Sequence, residues 1–229
     1  MPSLANRISA KQIAANQSLL TKKGIYMKQI RIKLTGTSPL LLSSDKLADP
    51  LNPLTIRHKE LTSKRKKTED DHRLIARSQW QGLLYWDDKL GVVMPTQNIR
   101  AAMIGGGKLN KLGMALKRGT LMMEDQVPVE YGKKLTIEQL WDGDYKDVRS
   151  VVVSQARVMA YRPKFLNWSL TVDFQYDENV LDENQIMQSL ENAGMFVGIG
   201  GYRPEKGGVF GRFKAEKVVD KVQETKIAA

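Results

Sequence analysis

The residues whose types and spacing carry the most chemistry lie in Gly198-Ile199-Gly200-Gly201-Tyr202-Arg203-Pro204-Glu205-Lys206-Gly207-Gly208-Val209-Phe210-Gly211-Arg212-Phe213-Lys214. Six of the chain's 18 glycines fall here. Glycine lets backbone N–H groups approach a ligand closely and reach positive φ. Arg203, Lys206, Arg212 and Lys214 stand against one acid, Glu205, so the stretch carries +3. Tyr202, Phe210 and Phe213 lie among them. Cations and amides hold a phosphate backbone, and aromatic rings stack on bases. The plain alternative is a long hairpin turn with solvated charges, and Gly200 and Gly201 would then be turn residues only.

A second basic, glycine-bearing segment follows the short apolar run Val92-Val93-Met94. Asn98 and Arg100 sit where that run enters a helix, and helix N-termini favour anions because their N–H groups are free and the dipole is aligned. Arg100 is read as a phosphate ligand, with a surface arginine as the alternative. Lys108, Lys111, Lys117 and Arg118 come after Gly105-Gly106-Gly107, and no acid interrupts the chain from Ile99 to Met123. The competing reading is a solvated helix face. Arg157 and Arg162 bracket Tyr161 in a basic hairpin end that could touch a backbone or simply form an exposed turn.

Composition narrows the classes. Net charge is +11 and the pI is near 9.7, which suits a polyanionic partner. There are no cysteines, so disulfides, thiolate zinc sites and thiol nucleophiles are excluded. The two histidines, His58 and His72, leave little for a His-based metal site. No apolar run approaches the ~20 residues a membrane helix needs. The start lacks the apolar centre of a secretory signal, so a cytoplasmic protein with no membrane partner is expected.

The elements that must position these residues can be read by periodicity. The first acid is Asp45, and seven cations precede it. Residues 1–26 form a basic arm in which 9–20 have weak helical spacing. From Met27 to Leu34, apolar and polar residues alternate as in a half-buried strand. Residues 43–79 read as an irregular, flexible insertion, with Asp49-Pro50 and a mixed charge block from Lys64 to Asp71. Trp80–Trp86 reads as a strand. The segment from Val92 to Ile104 reads as a strand entering a helix capped by Thr96 or Asn98 and stopped by the three glycines. Val127–Val129 is a short strand and Thr136–Trp141 a helical turn. A strand is expected over Val148–Val158, and another over Asn167–Tyr176. Asp182–Val197 is a helix with acids in its first turn. A closing strand spans Gly211–Val219, and 220–229 is a frayed tail.

Three features together resemble the RAMP superfamily of CRISPR-associated RNA-binding proteins, most nearly the subunits that form the backbone around a guide RNA. These are the opening strand running into Gly36-Thr37-Ser38-Pro39-Leu40, the Met94–Met103 strand-to-helix element, and the glycine loop from Gly198 to Gly211. Thr96 and Gln97 stand where that family often has Gly-Ser, and Ala101 replaces a small glycine. The resemblance covers about residues 27–219. It implies an α+β fold with a ferredoxin-like (RRM-like) β-α-β-β-α-β core, insertions and a C-terminal glycine-rich loop. It implies a single-stranded RNA partner, copies of the chain along the strand, and contacts with other subunits of such a complex. A phage relative coating or annealing single-stranded DNA stays open, because both polymers present phosphates and stackable bases.

Catalysis is weighed separately. Some RAMP relatives cleave RNA with a histidine, and His58 and His72 have Lys59, Lys64 and Arg73 nearby, a pairing able to support acid–base cleavage. Neither histidine is placed by a regular element in this reading. Asp70-Asp71 and Asp87-Asp88 are adjacent acids that point apart, with no third ligand. No P-loop, GxSxG or HExxH pattern occurs. The expectation is a non-enzymatic binder without cofactor or metal. The alternatives are a RAMP-type endoribonuclease and a RAMP-mimicking module that docks a protein.

Overall fold

In the computed structural model of the chain, residues 27–153 and 155–218 are described. The basic arm, the end of the closing strand and the tail lie outside them. Among the described residues the order is β1 (Met27–Gly36), β2 (Leu40–Leu41), α1 (Pro53–Ser63), α2 (Glu69–Leu83), β3 (Trp86–Asp87), β4 (Gly91–Pro95), α3 (Thr96–Lys108), α4 (Gly113–Gly119), β5 (Thr120–Met122), β6 (Gln126–Pro128), α5 (Ile137–Asp142), β7 (Lys146–Val153), β8 (Ala156–Phe165), β9 (Ser169–Asp177), α6 (Glu183–Asn192) and β10 (Phe213–Lys217).

Among the described residues the fold is mixed α+β with antiparallel sheets and no closed barrel. The alternation in β1 has the expected result: Ile30, Ile32 and Leu34 are buried and their neighbours are not. β1 lies between β9 and β10, pairing Ile32 with Val172 and Leu34 with Ala215. β5 adds to the far side of β9, giving the sheet order β10-β1-β9-β5. β9 buries Leu170, Val172, Phe174 and Tyr176, the clearest period of two in the chain. These side chains share one core with Ile99 and Met103 of α3 and Ile186 and Leu190 of α6. Two further sheets, β2-β8-β7 and β3-β4-β6, extend the molecule.

Several expectations need correcting. The stretch 43–79 is not irregular, for it contains α1 and most of α2. Asn52 caps α1 through its side chain, and Thr68 with Asp71 forms a reciprocal capping box at α2, a device typically worth about 1 kcal/mol. Trp80–Trp86 is not one strand, for only Trp86 enters β3. Residues to Leu83 belong to α2, which buries Ala76 and Trp80 while the Trp80 indole N–H donates to the Tyr145 carbonyl at 3.0 Å. Val148–Val158 is not one strand but parts of β7 and β8, paired as a hairpin with Val152 opposite Arg157.

Neither Thr96 nor Asn98 caps α3. Pro95 occupies that position without a side-chain cap, and the Thr96 hydroxyl donates to the Glu124 carbonyl. The glycine triplet does not stop α3, which continues to Lys108. Its role is close approach: a Cβ on Gly106 would lie 2.2 Å from the Ser189 carbonyl oxygen and 2.5 Å from the Ala193 nitrogen. At α6, Asp182 forms a capping box with Gln185, so the acidic start does mark a helix. A π-helical turn, Ala193–Val197, then delivers the chain into the glycine loop.

Candidate nucleic-acid interface

A cleft of about 910 Å³ opens between α3, the start of α4 and the glycine loop. Asn98 and Lys108 are ten residues apart on α3, so they mark a run of about 15 Å along it at 1.5 Å per residue. Asn98, Lys108, Lys111, Gly200, Gly201, Tyr202 and Arg203 all line this space. Two segments separated by nearly a hundred residues of sequence therefore meet in one concavity.

The glycine loop is held from below. The Gly201 N–H donates to the Leu41 carbonyl at 2.7 Å, and the Gly211 N–H donates to the Pro39 carbonyl at 2.8 Å. Ile199 N–H donates to the Gly211 carbonyl at 2.9 Å. Gly200 has φ +78°, and a Cβ there would lie 2.3 Å from the Leu41 oxygen, so glycine is required. The loop is thus braced against β2, and the Gly201 amide faces the fold, not a ligand. Tyr202 has φ +49°, an uncommon backbone for a bulky residue. Its ring lies 6.2 Å from that of the buried Phe210, yet it remains 48% exposed.

The cations divide into two groups. Lys108, Lys111 and Lys117 are exposed and line the cleft, and among the described residues none has an ion-pair partner. Lys111 also sits in the left-handed region, at φ +61°. Backbone strain of this kind costs about 1–2 kcal/mol and persists where the surrounding structure imposes it. Arg203 is engaged within the loop, bonding Glu205 at 2.7 Å and the Gly200 carbonyl at 3.3 Å. Among the described residues Glu205 is the one acid lining the cleft, and it is paired with Arg203, so three lysines there have no acid opposite them.

The other expected residues lie elsewhere. Arg100 does not line the cleft; its guanidinium donates to the Lys117 carbonyl and ties α3 to α4. Arg212 donates to the Met195 carbonyl, and its backbone N–H donates to the Ser38 hydroxyl at 2.9 Å. Lys206 is exposed on the turn after Pro204, outside the lining. Arg157 and Arg162 belong to the β7–β8 ribbon and do not line the cleft. Ser43 and Tyr85, which sequence reasoning did not single out, do line it. The Tyr85 hydroxyl donates to the Ser43 carbonyl at 3.1 Å, and the Asn98 amide nitrogen reaches that hydroxyl at 3.5 Å.

His58, Asp71 and Asp87 have structural roles. His58 Nδ1 and the Ser78 hydroxyl share a hydrogen bond at 2.7 Å that pins α1 to α2. Burial pushes the His58 imidazole below its ordinary pKa. His72 is exposed on α2, outside the cleft. The Lys64 ammonium, then the Thr68 amide, hold Asp71 down at about 2. Asp87 is lowered by the Leu90 and Lys89 amides. Among the described residues, no group of three or more His, Asp or Glu is placed to hold a metal, and no helix is long and apolar enough to cross a membrane.

No protein-family model matches the chain, and no curated protein does.

Proposed function

We propose that this chain is a non-catalytic single-stranded nucleic-acid-binding protein of the RAMP type, with RNA as the strand the sequence resemblance implies. One observation carries the reading: three lysines without an ion-pair partner among the described residues, and a half-exposed tyrosine, line one cleft. Lysines at that density match phosphates, and the free face of Tyr202 matches a base, since stacking is worth about 1–3 kcal/mol per base. The net charge of +11 adds attraction toward any polyanion.

The topology supports the family reading. β1, α3, β5, β9, α6 and β10 follow one another as strand, helix, strand, strand, helix, strand. Their sheet order, β10-β1-β9-β5, suits a ferredoxin-like core in which the remaining elements are insertions. The histidines lend no support to a nuclease, because His58 is engaged between two helices and neither lines the cleft. Copies of the chain bind side by side along the strand in this account.

The test is fluorescence anisotropy with labelled 20-nucleotide RNA and DNA strands across a salt series, followed by sizing with and without nuclease. Binding that weakens steeply with salt, and assemblies dissolved by nuclease, are expected. Salt-independent binding, or none to either polymer, overturns the reading. A stable protein complex that survives nuclease would favour the docking module.

A further inference from the structure

The β7–β8 ribbon does not line the cleft, yet it touches the loop that does. Asp147 and Arg149 alternate onto one face of β7, with the small, buried Ala160 opposite Arg149. The Asp147 carboxylate is 7% exposed and accepts from the Arg149 Nε–H at 2.9 Å. A buried carboxylate needs a partner, so this pair fixes where the guanidinium points. It points over the Phe210 ring, with the guanidinium carbon 4.7 Å from the ring centroid. The electron-rich face of the ring attracts a cation in that position.

Phe210 in turn backs Tyr202. It is 4% exposed, its ring lies 6.2 Å from the tyrosine ring, and its N–H donates to the Tyr202 carbonyl at 3.2 Å. Gly208 closes on the same residue, since a Cβ there would lie 2.8 Å from the Tyr202 Cγ. Together these contacts hold Tyr202 at φ +49°, a backbone that a bulky residue rarely adopts. A line of contacts therefore runs from the ribbon through Phe210 to the exposed ring in the cleft.

We propose that Arg149 is a positioning residue for the strand site: it clamps Phe210 from the ribbon and so keeps the Tyr202 ring set for stacking on a base. The inference rests on the strand-binding reading above. An arginine that binds a phosphate adds to the salt dependence of binding and is indifferent to bases. An arginine that positions a stacking ring changes what a base contributes and leaves the salt dependence alone.

The experiment uses the full chain and two 12-nucleotide strands of equal charge, oligouridine and an all-abasic strand, titrated by anisotropy across a salt series. The parent protein should prefer oligouridine by about ten-fold, within the range that stacking provides. Arg149→Ala should cut that ratio by about three-fold or more and keep the parent salt slope. Arg149→Lys, which keeps a cation for Asp147 and Phe210, should restore most of the ratio. Arg157→Ala removes an exposed ribbon cation and should keep the ratio. In a Tyr202→Ala background, Arg149→Ala should have no further effect on it. Phe210→Leu, which removes the ring the guanidinium covers, should act as Arg149→Ala does and serves if that variant does not fold. An unchanged ratio in Arg149→Ala, or in Phe210→Leu where that variant stands in for it, overturns the positioning role. So does a ratio kept while the slope flattens by about 0.7, the mark of a lost phosphate contact. Equal binding of both strands by the parent, with a steep salt dependence, overturns it and leaves strand binding standing. No binding of either strand overturns both.

Discussion

Removing Lys108, Lys111 and Lys117 together is the sharpest perturbation of the cleft. All three are exposed and unpaired among the described residues, so their replacement by Ala leaves no orphaned partner. Each phosphate contact on a single strand contributes about 0.7 to the slope of log K against log salt. Three lost contacts flatten the slope by about 2. At 0.1 M salt each contact is then worth a factor of about 5, so the triple variant should bind about a hundred-fold more weakly. The control removes Lys59, Arg65 and Lys66, three exposed cations outside the cleft, and should leave the slope nearly unchanged. Anisotropy titrations at four salt concentrations measure both. A triple variant with the parent slope, or a control that loses as much, would refute the assignment of the cleft as the phosphate site.

Lys111→Gly should relieve the left-handed strain of about 1–2 kcal/mol, offset by glycine's unfolded-state entropy of about 0.5–1 kcal/mol. Its urea midpoint should rise modestly while strand affinity falls about five-fold; a lower midpoint contradicts the strain argument. Gly106→Ala places a methyl 2.2 Å from a backbone oxygen of α6, which cannot rotate aside. It should cost about 3 kcal/mol by denaturant unfolding, the upper part of the overpacking range; an unchanged midpoint contradicts the packing described. His58 has a folded pKa below its unfolded one, so the unfolded state binds more protons just below neutrality. Stability should therefore fall as pH drops from about 7, and His58→Gln should flatten that limb. Asp71, held at about 2, stabilises the fold above its unfolded pKa. That contribution should vanish as pH falls from about 4 to 2, and Asp71→Asn should remove this second limb in acid unfolding curves.

Elements whose burial follows one clean period were legible in the sequence. Ile30, Ile32 and Leu34 alternate, as do Leu170 to Tyr176, because each strand has one buried face. α6 was legible from its acids and its apolar stripe. α2 was not, because its charged surface hides a core contribution made largely by Ala76 and Trp80. Its start signal was present all the same, in Thr68 followed three residues later by Asp71. The glycine triplet was misread as a helix stop because the feature that needs it is α6, a tertiary neighbour that no local pattern reveals.

The candidate site divides in the same way. Charge without interleaved acids pointed to Lys108 and Lys111, and glycine density pointed to the loop from Gly200 to Arg203. Arg100 and Arg212 looked equivalent to these in sequence, but each faces a backbone carbonyl that only the fold supplies. Ser43 and Tyr85 carried no signal, since nothing local marks a serine after a leucine run or a tyrosine at the end of a helix.

The central claim, that a nucleic-acid strand lies in the cleft between α3 and the glycine loop, is tested most directly by photocrosslinking. A 12-nucleotide strand carrying 5-iodouridine, irradiated with the full chain and mapped by mass spectrometry, should label Tyr202 and peptides within 98–117 and 198–205. Labelling confined to the β7–β8 ribbon or to the α1–α2 turn, with the cleft peptides unmodified, would contradict it.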